Sequence, residues 1–149
     1  MVQAGPTFCR ILVPLDGSEQ AEAVMPWVRA EATHHGATVV LLRVVPPLRQ
    51  GLIMVPGIVD DLNEQAEQMA EEYLARMADE LRADGLEVET MVEFGPPADR
   101  ILAVAEDTKC DLIVIGSHGQ SSARIWRFGS VANKVIKVRT SMPVLVVNT

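Results

Sequence analysis

Leu112-Ile113-Val114-Ile115-Gly116-Ser117-His118-Gly119 is a short, unbroken apolar run that opens into glycine, and after a nine-residue spacer the chain returns to Gly129-Ser130. Beyond that point Val131-Ala132-Asn133-Lys134-Val135-Ile136 carries its apolar residues at helical spacing. The segment reads as strand, glycine loop, helix. That order is a phosphate-binding arrangement, because glycine accepts positive φ and close approach of a ligand, while the free N–H groups of a helix's first turn attract anions.

The same alternation extends outward. Arg10-Ile11-Leu12-Val13-Pro14 is a buried strand closed by a turn at Leu15-Asp16-Gly17-Ser18, with Ser18 as a helix N-cap. One helix is expected from there to about Gly36, packed through Ala21, Val24, Met25, Val28 and Ala32. Residues 37–45 read as a second strand, and 46–57 as a loop broken by Pro46, Pro47, Gly51, Pro56 and Gly57. The longest helix is expected over 59–83, with Leu62, Ala66, Met69, Tyr73, Met77 and Leu81 as its apolar stripe and its acids solvated on the other face. Residues 86–94 alternate as a strand exposed on one side, near a sheet edge. Gly95-Pro96-Pro97 starts a helix with Ile101, Leu102, Val104 and Ala105 available to pack, and Pro143 leads into a last strand over 144–147.

Strands too apolar for a wet face, alternating with helices, define the α/β class. The expectation is one domain over residues 1–149: a doubly wound, five-stranded, mainly parallel sheet with helices on both faces, Rossmann-like, in strand order 3-2-1-4-5. Ligands of such sheets sit beyond the carboxyl ends of the strands, where the order reverses. Asp16, Val44, Val45 and Gly116 are the residues that would meet there.

Composition narrows the function. Hydrophobic residues make up 48% and charged residues 22% of the chain, and no apolar run approaches the ~20 residues of a membrane span. The N-terminus lacks the basic and then apolar layout of a signal peptide, so a cytoplasmic location with no membrane partner is expected. A net charge of −7 argues against nucleic acid as a partner. Its distribution is uneven: from Leu112 to Thr149 there is no Asp or Glu, yet Arg124, Arg127, Lys134, Lys137 and Arg139 are present. A locally positive segment around the glycine loop suits a small polyanion. Cys9 and Cys110 have no Cys or His at a ligand-like spacing, so no metal site is expected and both read as small buried hydrophobes.

With these motifs in place the chain resembles the universal stress proteins over nearly its full length, and specifically their ATP-binding branch. The family's nucleotide pattern is glycine, two residues, glycine, nine residues, then glycine with Ser or Thr, matched here by Gly116, Gly119, Gly129 and Ser130. Ile11 to Ser18 and Pro143 to Val147 match in type and place. The resemblance implies that Asp16 accepts hydrogen bonds from ribose hydroxyls and that the backbone near Pro14, Leu15 and Val44 frames adenine. It places the phosphates on Gly116, His118, Gly119, Gly129, Ser130 and Val131. It also implies ATP with Mg²⁺ as the ligand, a stress-response role and a homodimer, for which the apolar last strand offers a pairing edge. The chain departs from the family at Gln120-Ser121-Ser122, where a basic residue and a further glycine are common, leaving Arg124 or Arg127 to supply positive charge.

Other readings of the same residues stay open. Asp16 also suits a turn cap, and Ser130 an N-cap. His118 is a candidate base with no second acid beside it, which favours a phosphate hydrogen bond or an exposed side chain. His34-His35 suits a helix C-terminus. Trp126 and Phe128 suit packing of the loop or a subunit contact. No catalytic residue is assigned. The leading expectation is a nucleotide-binding regulatory module acting through a partner protein; the alternatives are a slow ATPase and a nucleotide-free interaction module of the same fold.

Overall fold

The computed structural model describes residues 5, 7–46, 56–119, 129–138 and 142–149. Five strands, β1 (Arg10–Pro14), β2 (Thr38–Val45), β3 (Val88–Phe94), β4 (Leu112–Gly116) and β5 (Val144–Val147), form one sheet in the order β3-β2-β1-β4-β5. Every pairing is parallel, with Leu12 opposite Val40 on one side and Ile113 on the other. Between the strands run α1 (Glu19–Glu22), α2 (Met25–His35), α3 (Pro56–Ala83), α4 (Pro97–Asp107) and α5 (Ser130–Lys137).

Side chains alternate across a strand, so each central strand feeds two cores. Ile11, Val13, Val39, Leu41 and Val114 pack under α1, α2 and α3 with Val24, Val28, Leu74 and Leu81. Leu12, Val40, Leu42, Ile113 and Ile115 pack under α4 and α5 with Ile101, Val104 and Val135. Helices on both faces and a reversal of order at β1 make this a doubly wound sheet, as expected.

Four local expectations need correction. The helix after Ser18 is two: Ser18 Oγ accepts the Ala21 N–H as an N-cap, but α1 stops at Glu22 and α2 restarts at Met25. Pro26 lacks the N–H that would bond back to Glu22, and its ring crowds that carbonyl. The long helix begins at Pro56, inside the expected loop, because a proline's fixed φ suits a first helical position. Its packed face is Ala70, Leu74, Met77, Ala78 and Leu81, with Tyr73 beside it, whereas Leu62 and Met69 are exposed. At 1.5 Å per residue α3 is about 42 Å long, against about 26 Å for the longest strand, so its first turns outrun the sheet. Finally, Cys110 is buried but Cys9 is exposed at the start of the ladder, and both thiols are free.

At that rim the Asp111 carboxylate accepts the N–H groups of Cys9 (2.8 Å) and Arg10 (3.0 Å). Arg10 also donates to both Glu89 oxygens and to the Thr108 carbonyl, tying β1, β3 and the turn before β4 together. His35, in the last turn of α2, packs edge-on against Phe8 and lies 3.4 Å from Glu31. Residues 47–55, 120–128 and 139, among them Arg124, Trp126, Arg127, Phe128 and Arg139, lie outside the described residues, and so do the expectations placed on them.

Truncating α3 separates its two apolar sets. Leu74→Ala, at a fully buried site, is expected to cost about 3 kcal/mol in urea unfolding, and Leu62→Ala less than about 0.5 kcal/mol.

Candidate functional site

β1 and β4 are neighbours whose connections leave on opposite faces, and beyond their carboxyl ends the sheet opens into a crevice of about 280 Å³. Its floor is apolar: Leu42 and Val44 from β2, Ile115 from β4, Ile101 and Pro97 from α4, and Ala132 from α5. Of the residues expected from the sequence, Pro14, Leu15, Asp16, Val44, Gly116, His118, Gly119, Gly129 and Val131 all line it. Ser130 is exposed at the first position of α5 and does not line the crevice. The N-cap is Gly129, in extended conformation and with no side-chain cap bond, so Ser130 is not the cap either.

Asp16 follows the last residue pair of β1 and is shaped by its own turn. Its Oδ1 accepts the Ser18 N–H (2.9 Å) and hydroxyl (2.5 Å), which fixes the carboxylate at the head of α1. The other oxygen faces the glycine loop so closely that a Cβ on Gly119 would run into it. Gly116 is similarly confined, with the Gln20 carbonyl and the Thr149 methyl near the space of a side chain. A side chain at 119 would have to move the Asp16 carboxylate, and one at 116 would press on its neighbours more mildly.

The loop is closed by a residue the sequence reading passed over. Ser117 is fully buried. Its N–H donates to the Val147 carbonyl (2.8 Å) and its carbonyl accepts the Gly129 N–H (2.5 Å), so the chain leaves β4 and re-enters α5 at one point. Its hydroxyl accepts the Thr149 N–H (3.1 Å) and lies 3.0 Å from His118 Nδ1. These bonds make Ser117 a clamp on the loop. A small polar residue inside a glycine pattern gives no signal of this kind in sequence.

Val44 offers its backbone. Leu15 donates to the Leu42 carbonyl as the last rung between β1 and β2, while Gly95 donates to Val45 on the opposite side. Alternate residues of a strand address alternate neighbours, so the N–H and C=O of Val44 point past the end of β1 into the crevice. Arg43, also unforeseen, lines the crevice and donates from Nη1 to the Val44 carbonyl (3.2 Å). On α5, Lys134 pairs with Asp99 of α4 at 2.9 Å. Among the described residues no cluster of three or more His, Cys, Asp or Glu is placed to hold a metal ion.

Under Asp16, Tyr73 of α3 donates to Glu22 of α1 (2.8 Å). Burial pushes its phenol well above the ordinary value near 10; the hydrogen bond to Glu22 and the negative charges of Glu22 and Asp16 push the same way, while Arg43 opposes.

The family profile described as "Universal stress protein family" matches residues 7–148. The chain belongs to the universal stress protein family. It is 34% identical to the universal stress protein MJ0577 of Methanocaldococcus jannaschii, over 94% of each chain. A solved structure of MJ0577 superposes with a TM-score of 0.86 at 31% identity, covering 97% of this chain and 98% of that one. A universal stress protein from Archaeoglobus fulgidus in complex with dAMP superposes with a TM-score of 0.65 at 26% identity, over 95% and 98% of the two chains. The curated relative YxiE of Bacillus subtilis is 28% identical over 94% of this chain.

Two outcomes test the site of this universal stress protein. Ser117→Ala is expected to cost about 1 kcal/mol in urea unfolding, because a fully buried hydroxyl that accepts the Thr149 N–H is lost. In an alkaline titration followed by phenolate absorbance, Tyr73, the one tyrosine of the chain, stays protonated through pH 10 while the protein is folded, and Glu22→Gln lowers its midpoint. Since the folded state holds a proton that the unfolded state releases near pH 10, this contribution to stability is intact below about pH 10 and is lost as pH rises through the folded value.

Proposed function

We propose that this universal stress protein is a regulatory module that binds an adenine nucleotide, ATP with Mg²⁺, in the crevice at the ends of β1, β2 and β4, and that occupancy modulates its contacts with a partner protein. The observation that carries the reading is the convergence of the Asp16 carboxylate with the glycine loop at the N-terminus of α5. A fixed carboxylate is a natural acceptor for a ribose diol, and an uncapped helix start approached through glycines is suited to phosphate. The apolar floor fits a flat base. Val44 adds base selection: an adenine edge carries an amino donor next to a ring-nitrogen acceptor, the complement of one C=O beside one N–H. The Val44 carbonyl has two lone pairs, so it accepts such an amino group while still bonded to Arg43. The dAMP complex of the A. fulgidus relative supports the ligand class.

Gly116, His118, Gly119, Gly129 and Val131 would hold the phosphates in this reading, with Ser130 contributing as the first residue of α5. Mg²⁺ would be held there by the phosphates and water, which commonly supply most of that cation's ligands. It would neutralise phosphate charge there. We also place the homodimer contact on β5, an edge strand whose Val144, Leu145 and Val146 are half-buried and whose outer backbone edge invites a twofold mate.

The first test is to purify the protein without added nucleotide, denature it and identify any released small molecule by chromatography and mass spectrometry. Near-stoichiometric ATP is expected from the parent and none from Gly129→Glu. An empty parent that also fails to bind added ATP overturns the nucleotide reading. In calorimetric titration Gly119→Ala and Asp16→Ala are each expected to weaken ATP at least tenfold, the first because its Cβ displaces the Asp16 carboxylate.

A further inference from the structure

The first half of α3 presents a feature the nucleotide reading does not use. From 57 to 69 every residue is exposed or half-exposed, and the first buried side chain of the helix is Ala70. Yet Ile58, Leu62 and Met69 are large and apolar, and they are 54, 44 and 70% exposed. At 100° per residue these three positions fall within about 40° of one another, so they form one stripe about 16 Å long. The buried residues of the helix, Ala70, Leu74, Met77, Ala78 and Leu81, lie about 60–200° away around it. The core therefore accounts for none of the stripe.

Charge identifies the occupant. Between 57 and 75 the helix carries Asp60, Asp61, Glu64, Glu67, Glu71 and Glu72 and no Lys or Arg. All six acids are exposed. The apolar stripe ends at Arg76, whose guanidinium lies 6.0 Å from the centre of the Tyr73 ring. A second copy laid along the same stripe would set six carboxylates against six, which is repulsive. A cationic helix meets the opposite sign along the whole contact and covers the three apolar side chains with its own.

We propose that the outward face of α3 around Ile58, Leu62 and Met69 is a docking surface for a basic amphipathic helix of a partner protein. The mode is an apolar stripe laid on an apolar stripe, with Lys or Arg flanking residues reaching the acids on either side. The negative field of the helix half speeds encounter and excludes acidic partners, and the apolar stripe sets the register. This surface is separate from the crevice and does not depend on what binds there.

The test uses the full chain and two synthetic 14-residue helical peptides, each with leucine at i, i+3, i+4, i+7 spacing and either lysine or glutamate at the other positions. Binding is followed by fluorescence anisotropy against the parent and against the double variant Leu62→Asp with Met69→Asp. Both substitutions are at exposed sites, and circular dichroism checks that the variant is folded. The expected result is saturable binding of the lysine peptide, at least tenfold weaker in the double variant and weakened by added salt, with no binding of the glutamate peptide. Failure of the lysine peptide to bind the parent overturns the proposal. So does lysine-peptide affinity unchanged in the double variant, which marks diffuse charge attraction, and so does equal binding of both peptides. Sedimentation velocity on the free proteins supplies the remaining arm: an unchanged oligomeric state in the double variant supports the proposal, and a smaller one assigns the stripe to a second copy and overturns it.

Discussion

A first strand with no exposure at Ile11, Leu12 or Val13, paired on both edges, is the constraint on which the rest of this molecule depends. A strand with neighbours on both sides and helices on both faces admits only apolar side chains, and its backbone groups are consumed by the ladders. The chain builds outward in opposite directions from it, through β2 to β3 and through β4 to β5. The crevice is the geometric result: where two loops part from adjacent strand ends onto opposite faces, nothing fills the space between them.

That opening becomes a chemical site because both walls are pinned by their own hydrogen bonds. On one side the Asp16 turn is held by Ser18, which also caps α1, so the carboxylate is positioned before any ligand arrives. On the other, Ser117 fixes the head of α5 to the end of β4 and to the edge strand through Val147 and Thr149. Preorganisation of this kind reduces the ordering cost of binding. The Tyr73–Glu22 bond then joins the acid-bearing wall to α3, the helix that outruns the sheet.

The architecture was legible in the sequence where the signal was periodic and unambiguous. Five strands, their parallel arrangement, the position of β3 at an edge and the glycine loop before α5 follow from apolar runs and turn chemistry, and the spatial meeting of Asp16, Val44 and Gly116, though not of Val45, follows from the switch-point rule. The misreadings have specific causes. On α3 the packed positions include Ala70 and Ala78, whose weak apolar signal was outvoted by Leu62 and Met69, large residues on a part of the helix with no sheet beneath it. The apolar spacing from Ala21 to Ala32 continues unbroken across Pro26, so periodicity alone hides the break there. Ser117 and Arg43 act through backbone carbonyls and a buried hydroxyl, contacts that depend on the folded register and leave no pattern along the chain.

The contact between Asp16 and Gly119 has a bearing on how such a chain can diverge. The carboxylate occupies the volume into which any side chain at 119 would grow. Bulk at 119 is therefore tied to the fate of an acid more than a hundred residues away, although the acid itself can be lost alone. A descendant that keeps the acid in its present position keeps glycine opposite it, and one that gives up the acid releases 119 to carry bulk and fill the crevice. Ligand loss in a lineage of this fold is consequently easy to enter by one substitution and hard to leave, since restoring the acid alone would meet an occupied space.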